Sequence, residues 1–164
     1  MILRSIVFAG GLAGAAATSQ FPEFSQQYMQ RLGGAVDALG EVVADFDGSA
    51  TASDLTRSEA LTQMQGTPFL ERRRADMTRS IIRYETLSRD LVVLQGQGPF
   101  MRAYNGARFT DREIARAAWQ AYRPAVPVNF AGLTFAGVGF MLGSLAISLL
   151  FGLLRMPFRR RVRA

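Results

Sequence analysis

Val126–Leu154 reads VPVNFAGLTFAGVGFMLGSLAISLLFGLL, and the uncharged stretch around it begins at Pro124. A helix crossing a ~30 Å hydrocarbon core needs about 20 apolar residues. This run is longer than that, and core helices of water-soluble proteins seldom go so far without a charge. It reads as a transmembrane helix with some tilt or a partly interfacial start. Pro124 and Pro127 suit an entry turn or its first helical turn, and Trp119 and Tyr122 precede it as an interfacial aromatic belt would. Its one strongly polar side chain, Asn129, lies near the N-terminal end. Ion and proton paths through membranes need charged or clustered polar groups, so a transporter acting alone is not expected.

A second uncharged run, Ser5–Pro22, lies near the other end of the chain. It is shorter and rich in Ala and Gly, and two readings fit it. One is a retained transmembrane anchor reaching about Phe21. The other is a secretory signal peptide, with Arg4 as its basic start, Ile6–Leu12 as its apolar centre and Ala15-Ala16-Ala17 as a cleavage site. The anchor is favoured, and both readings translocate the middle of the chain. Gly10 and Gly14, and Gly139 and Gly143, stand four apart, the small-residue spacing that lets membrane helices approach closely. Gly132, Ala136, Ser144 and Ser148 add further small positions to the second run. Packing of the two spans on each other is the expected use, with homodimerisation or docking on a larger complex as the alternative.

The rest of the composition follows this division. The chain has 164 residues, 19 basic and 13 acidic, with no His, no Cys and a formal net charge of +6. Every basic residue is Arg. The missing residue types exclude disulfides, thiolate nucleophiles, an imidazole base and the usual transition-metal ligand sets. No cofactor and no metal are expected, and no catalytic residue is assigned. A high isoelectric point invites a nucleic-acid reading, but Glu23–Arg123 holds all 13 acids and 13 of the Arg and is neutral. The excess charge belongs to Arg4 and to Arg155, Arg159, Arg160, Arg161 and Arg163, which flank the apolar runs. Basic residues beside spans mark the cytoplasmic side and attract anionic headgroups. Both termini are therefore expected in the cytoplasm, with the middle segment outside, which in a bacterium is the periplasm. Nucleic acid is not an expected partner.

The middle segment reads as helical. From about Pro22 to Phe46, the residues Tyr28, Leu32, Ala35, Leu39, Val42 and Phe46 form a heptad-like stripe, with Gly48 as the terminating residue. A short helix opens at the capping box Thr56-Arg57-Ser58-Glu59. A long one runs from about Pro68 to Gln95 with Leu70, Met77, Tyr84 and Leu91 seven apart, and Gly96-Gln97-Gly98-Pro99 stops it. A last helix opens at a second capping box, Thr110-Asp111-Arg112-Glu113, and reaches about Tyr122. The two long helices should pack antiparallel, with Glu41, Asp45 and Asp47 beside Arg72, Arg73 and Arg74 to fix their register. Asp45-Phe46-Asp47-Gly48-Ser49 resembles the start of a calcium loop, but the twelfth position is Thr56 where an acid is needed, so an acidic helix end is expected instead. Carboxylate-only catalysis stays formally open, yet no acid stands in an evident apolar pocket.

Four segments carry a resemblance: Ser19–Tyr28 (SQFPEFSQQY), Arg31–Asp37 (RLGGAVD), Gly98–Tyr104 (GPFMRAY) and Arg123–Pro127 (RPAVP). They resemble a small proteobacterial family of inner-membrane proteins of unknown function, over nearly the whole chain. The resemblance implies an inner-membrane location and brings no activity or site residues. The expected architecture is an all-α membrane protein. Residues 1–22 form the anchor, 23–123 a periplasmic helical hairpin or bundle, 124–155 the second span and 156–164 a cytoplasmic Arg-rich tail. The expected function is non-enzymatic: an accessory or scaffold subunit, held in the lipid bilayer, whose helical body contacts another envelope component or a second copy. The alternative is a periplasmic ligand-binding domain or enzyme on a single C-terminal anchor.

Overall fold

The structure is a computed structural model that describes residues 2–124 and 128–159. Pro127, Arg160, Arg161 and Arg163 lie outside the described residues. Among these residues seven α-helices follow in order: α1 (Ile2–Ser19), α2 (Phe21–Thr51), α3 (Arg57–Gln63), α4 (Pro68–Leu94), α5 (Pro99–Tyr104), α6 (Arg112–Ala121) and α7 (Phe130–Arg159), with a 3-10 turn at Gly106–Arg108. Among the described residues there is no strand. Two helical stretches, at the two ends of the chain, are long and apolar enough to cross a membrane.

Local chemistry explains most of the boundaries. Thr56 caps α3 through a reciprocal box: its side chain takes the Glu59 amide, and the Glu59 carboxylate accepts from the Thr56 backbone N–H at 2.8 Å. Thr67 caps α4 by accepting from the Leu70 amide, and Pro68 fills the first helical position, where no N–H is needed. Gly96, at φ +76°, supplies the left-handed residue after α4. The start of α6 differs from expectation. Asp111, and not Thr110, is the cap, its Oδ1 accepting from the Glu113 and Ile114 amides at 2.9 Å each. The Thr110 hydroxyl is committed elsewhere, donating to Asp90 at 2.7 Å. Asn129 caps α7 by accepting from the Gly132 amide at 2.8 Å. That helix begins six residues later than the uncharged run and reaches Arg159, inside the segment read as a tail.

The end of α2 corrects the reading of Gly48. The helix passes through Gly48 to Thr51 and closes when the Leu55 amide reaches Ala50 O at 2.9 Å and the Asp54 amide reaches Thr51 O at 3.0 Å. This is a Schellman closure, and the residue in its left-handed position is Asp54, at φ +56°. The calcium-like stretch Asp45–Ser49 is accordingly helix, not loop.

The chain divides into two compact units. One comprises the residues up to Gln26, Pro99–Ala103 and the chain from Tyr122 onward; it contains α1 and α7. The other comprises Gln27–Gly98 and Tyr104–Ala121. Its core is Tyr28, Leu32, Val43, Ala50, Ile81, Leu87, Leu94, Ile114 and Ala118. Within it α2 and α4 run antiparallel: Tyr28 feels the charge of Asp90, whereas Gly40, further along α2, meets the ring of Tyr84, earlier in α4. The heptad stripe fits the first half of α2 and then drifts. Val42 is 44% exposed and Val43 is buried. A straight helix has 3.6 residues per turn, so over 31 residues its buried face slides off a strict seven-residue repeat.

Candidate functional site

In the first unit, the seam between α1 and α7 is built on glycine. A Cβ on Gly14 would collide with the carbonyl oxygen of Gly139, one on Gly139 with Thr18 Oγ1 and Gly14 O, and one on Gly143 with Gly10 O. A Cβ on Gly10 would overlap the side chain of Ile147, and one on Gly11 the ring of Phe140 and the Ser144 hydroxyl. Residue numbers rise along α1 as they fall along α7, so the helices are antiparallel. Gly10, Gly14, Gly139 and Gly143 are thus brought into one interface within the chain. Backbones this close admit hydrogen bonds between the helices. Thr18 Oγ1 lies 2.6 Å from Phe135 O and 2.9 Å from Gly14 O, so its single hydroxyl proton is shared between a bond across the seam and one back along α1. Ser144 Oγ approaches Val7 O at 3.5 Å. Phe8 packs edge-on against Phe140.

The faces away from this seam are apolar and open. Leu133, Met141, Leu145, Leu149 and Leu153 on α7, and Ile2 and Leu12 on α1, are all more than half exposed. Only 6% of the α7 window is buried within the molecule. A core helix of a soluble protein would show the opposite, and an apolar surface of this extent in water would be an aggregation or interaction surface. At the end of the pair where α1 stops and α7 begins lies an aromatic cluster. Phe100 stacks on Phe135 at a centroid distance of 5.3 Å, Phe21 tilts against Phe135 at 5.4 Å, and Tyr122 donates its hydroxyl proton to Gln20 Oε1. At the opposite end stand Arg4 on the first turn of α1 and Arg155 and Arg159 on the last turns of α7.

In the second unit the charged side chains organise differently from the expected seam. Asp47 is taken by Arg57, whose Nε and Nη2 both donate to its carboxylate, the former at 2.7 Å. This pairing holds Asp47 below the usual carboxylate range and raises Arg57, which also approaches Glu85 at 3.7 Å. Arg73 pairs within its own helix with Asp76. Among the described residues no ion pair joins Glu41, Asp45 or Asp47 to Arg72, Arg73 or Arg74. The reason is local: the turn after α2 is short, and it returns Arg57 to Asp47 from ten residues away. Glu59, the capping-box acid, is likewise lowered by its bonds from the Thr56 hydroxyl and amide.

Asp90 is the polar centre of this unit. It is 2% exposed, yet one oxygen receives Arg108 at 3.3 Å and the other receives Thr110 at 2.7 Å. With donors on both oxygens, the carboxylate ties the segment before α6 to α4. Tyr28 lies nearby, its ring 4.5 Å from that of Phe109. Burial foremost pushes its hydroxyl above the ordinary tyrosine range; the hydroxyl is close to the Asp111 amide but forms no hydrogen bond of normal geometry among the described residues. Among the described residues no three acidic, His or Cys side chains converge to hold a metal.

Thr18, Arg57 and Asp90 were not singled out from the sequence. Thr18 had a usable signal, standing four residues beyond Gly14 on the same helical face. Asp90 did too, lying three residues after Leu87 and four before Leu94, on the buried stripe of α4. Arg57 had none, because its role depends on the turn that precedes it.

These features define a helical protein with an antiparallel, glycine-seamed pair of apolar helices and a separate bundle organised on a buried carboxylate. The chain belongs to the DUF2937 family, proteins of unknown function, whose family model matches residues 1–160. No curated protein and no solved structure matches it.

Proposed function

We propose that α1 and α7 are paired membrane spans of a bacterial inner-membrane protein. Both termini lie in the cytoplasm, and the helical unit of Gln27–Gly98 and Tyr104–Ala121 lies in the periplasm. In this reading the protein is a non-enzymatic accessory or scaffold subunit: the unit outside the membrane presents a helical surface to another envelope component. The observation that carries the reading is the α1–α7 pair, which spends its glycines on an internal seam and turns its leucines and phenylalanines outward. An outward apolar face is stable in lipid and costly in water. The antiparallel pairing is consistent with both basic ends on one side, as the positive-inside rule requires.

The seam also supports a retained α1. Removing residues before Thr18 would strip α7 of the surface into which Gly139 and Gly143 fit. The alternative, a ligand-binding or catalytic domain on a single C-terminal anchor, requires that loss. N-terminal sequencing of protein isolated from native membranes tests the choice: the uncleaved chain is expected, and a mature protein starting after Thr18 would defeat the two-span reading. Crosslinking in native membranes followed by mass spectrometry tests the accessory role. It is expected to capture a second membrane or periplasmic protein, and recovery of only this chain would favour a homo-oligomer.

A further inference from the structure

We propose that the groove at the α1-end, α7-start side of the span pair holds the headgroup of an aminophospholipid. The proposal rests on the reading of α1 and α7 as spans, which sets this groove at one membrane–water interface. The groove has a volume of about 480 Å³, within the range of small-ligand sites. Pro22 and Phe130 give it apolar walls, and Glu23, Gln26, Arg102 and Asn129 give it polar ones.

Its two charges are of opposite sign and do not neutralise each other. Among the described residues neither Glu23 nor Arg102 is in an ion pair. Arg102 donates from Nη1 to Gln26 Oε1 at 2.9 Å, which aims the guanidinium. Its Nε is buried and, among the described residues, has no hydrogen-bond partner. An unpaired buried guanidinium N–H is costly and calls for an acceptor. The first turn of α7 adds the positive end of a 30-residue helix, where Asn129 Oδ1 accepts from the Gly132 amide. A phosphodiester in the groove brings acceptor oxygens to the guanidinium and to the helix end. Glu23 then decides which phosphodiester: it repels a purely anionic headgroup and attracts an ammonium. A primary ammonium donates hydrogen bonds to the carboxylate, whereas a choline, with no N–H, has only its charge to offer. The zwitterion that fits is therefore a phosphoethanolamine, with phosphate on Arg102 and ammonium on Glu23, its acyl chains continuing along the apolar faces of α1 and α7.

Native mass spectrometry of the full chain in detergent, titrated with phosphatidylethanolamine, phosphatidylcholine and phosphatidylglycerol of matched acyl chains, reads this directly. Phosphatidylethanolamine is expected to be retained about tenfold better than either competitor, as one charge-assisted hydrogen bond provides. Glu23→Gln should equalise phosphatidylethanolamine and phosphatidylcholine while keeping both bound. Arg102→Gln should weaken all three, with helicity by circular dichroism confirming that both variants fold. Equal retention of the three lipids by the natural chain, or unchanged preference in Glu23→Gln, would overturn the proposal. So would equally tight binding of water-soluble glycerophosphoethanolamine, which would place the ligand in solution. Carbonate extraction of native membranes separates the two failures. A protein that resists extraction but shows no lipid preference defeats only the headgroup site, and one released by carbonate defeats the spans on which it rests.

Discussion

Single residues divide into those whose role depends on what they lack and those whose role depends on a partner. Gly14 and Gly139 belong to the first group, since any side chain there meets a facing backbone carbonyl. Gly139→Leu is expected to force α1 and α7 apart, at the roughly 1–3 kcal/mol typical of overpacking. Gly137 and Gly152, on the same helix, have open space around them. Gly137→Ala should be neutral or stabilising by up to about 1 kcal/mol, through helix propensity alone. Thermal unfolding in one detergent compares the two, and equal losses would remove the case for the seam. Asp54 is the reverse case, a side chain at the left-handed position that closes α2. Asp54→Gly should raise the melting temperature of the folded chain, by roughly 0.5–1 kcal/mol in stability; a lower one would mean the carboxylate has a compensating partner. Asp47 gives a pH dependence. Arg57 depresses its folded-state pKa, so between that value and the unfolded one the folded chain binds fewer protons than the unfolded chain. The stabilisation is complete above the unfolded value, near pH 4, and is lost as pH falls through the depressed one. Stability should therefore decline on acidification below about pH 4, and Arg57→Ala should flatten that decline in acid titrations followed by circular dichroism.

At the level of elements, the features legible in the sequence were those set within a few residues. The capping box of α3, the Thr67–Pro68 start of α4 and the Gly96 stop all follow from chemistry that acts over one turn. The two apolar helices were equally plain, because length without charge is a one-dimensional property. What escaped needed knowledge of neighbours. Gly48 looked like a helix end because glycine usually is one, but α2 continues to a Schellman closure on Asp54. The heptad stripe held for Tyr28 and Leu32 and slipped by one residue at Val43, where the accumulated 3.6-residue twist outweighs a 3.5-residue pattern. Thr110 looked like a cap and instead serves the buried Asp90. Asp47 pairs with Arg57, ten residues on across the turn after α2, a partner set by the path of that turn. Helix α5 and the 3-10 turn at Gly106–Arg108 were missed because Gly and Pro punctuation signals an end without saying what restarts.

For the whole molecule, the charge distribution and the glycine seam point the same way. Arg4 lies in the first turn of α1 and Arg155 and Arg159 in the last turns of α7, and the two helices pair antiparallel, so these three basic positions fall at one end of the pair. On the proposed topology the net charge of +6 is a signal of side, since the stretch Glu23–Arg123 between the apolar runs is neutral. The chain has no cysteine, so one introduced thiol is an unambiguous reporter of side. The decisive measurement is labelling of Ile2→Cys and Ala52→Cys in intact spheroplasts with a membrane-impermeant maleimide. Both positions are exposed, one at the start of α1 and one just beyond α2. With both termini in the cytoplasm, Ala52→Cys labels at once and Ile2→Cys labels only after the membrane is permeabilised. Equal labelling of both in intact spheroplasts, or the reverse order, would contradict that topology.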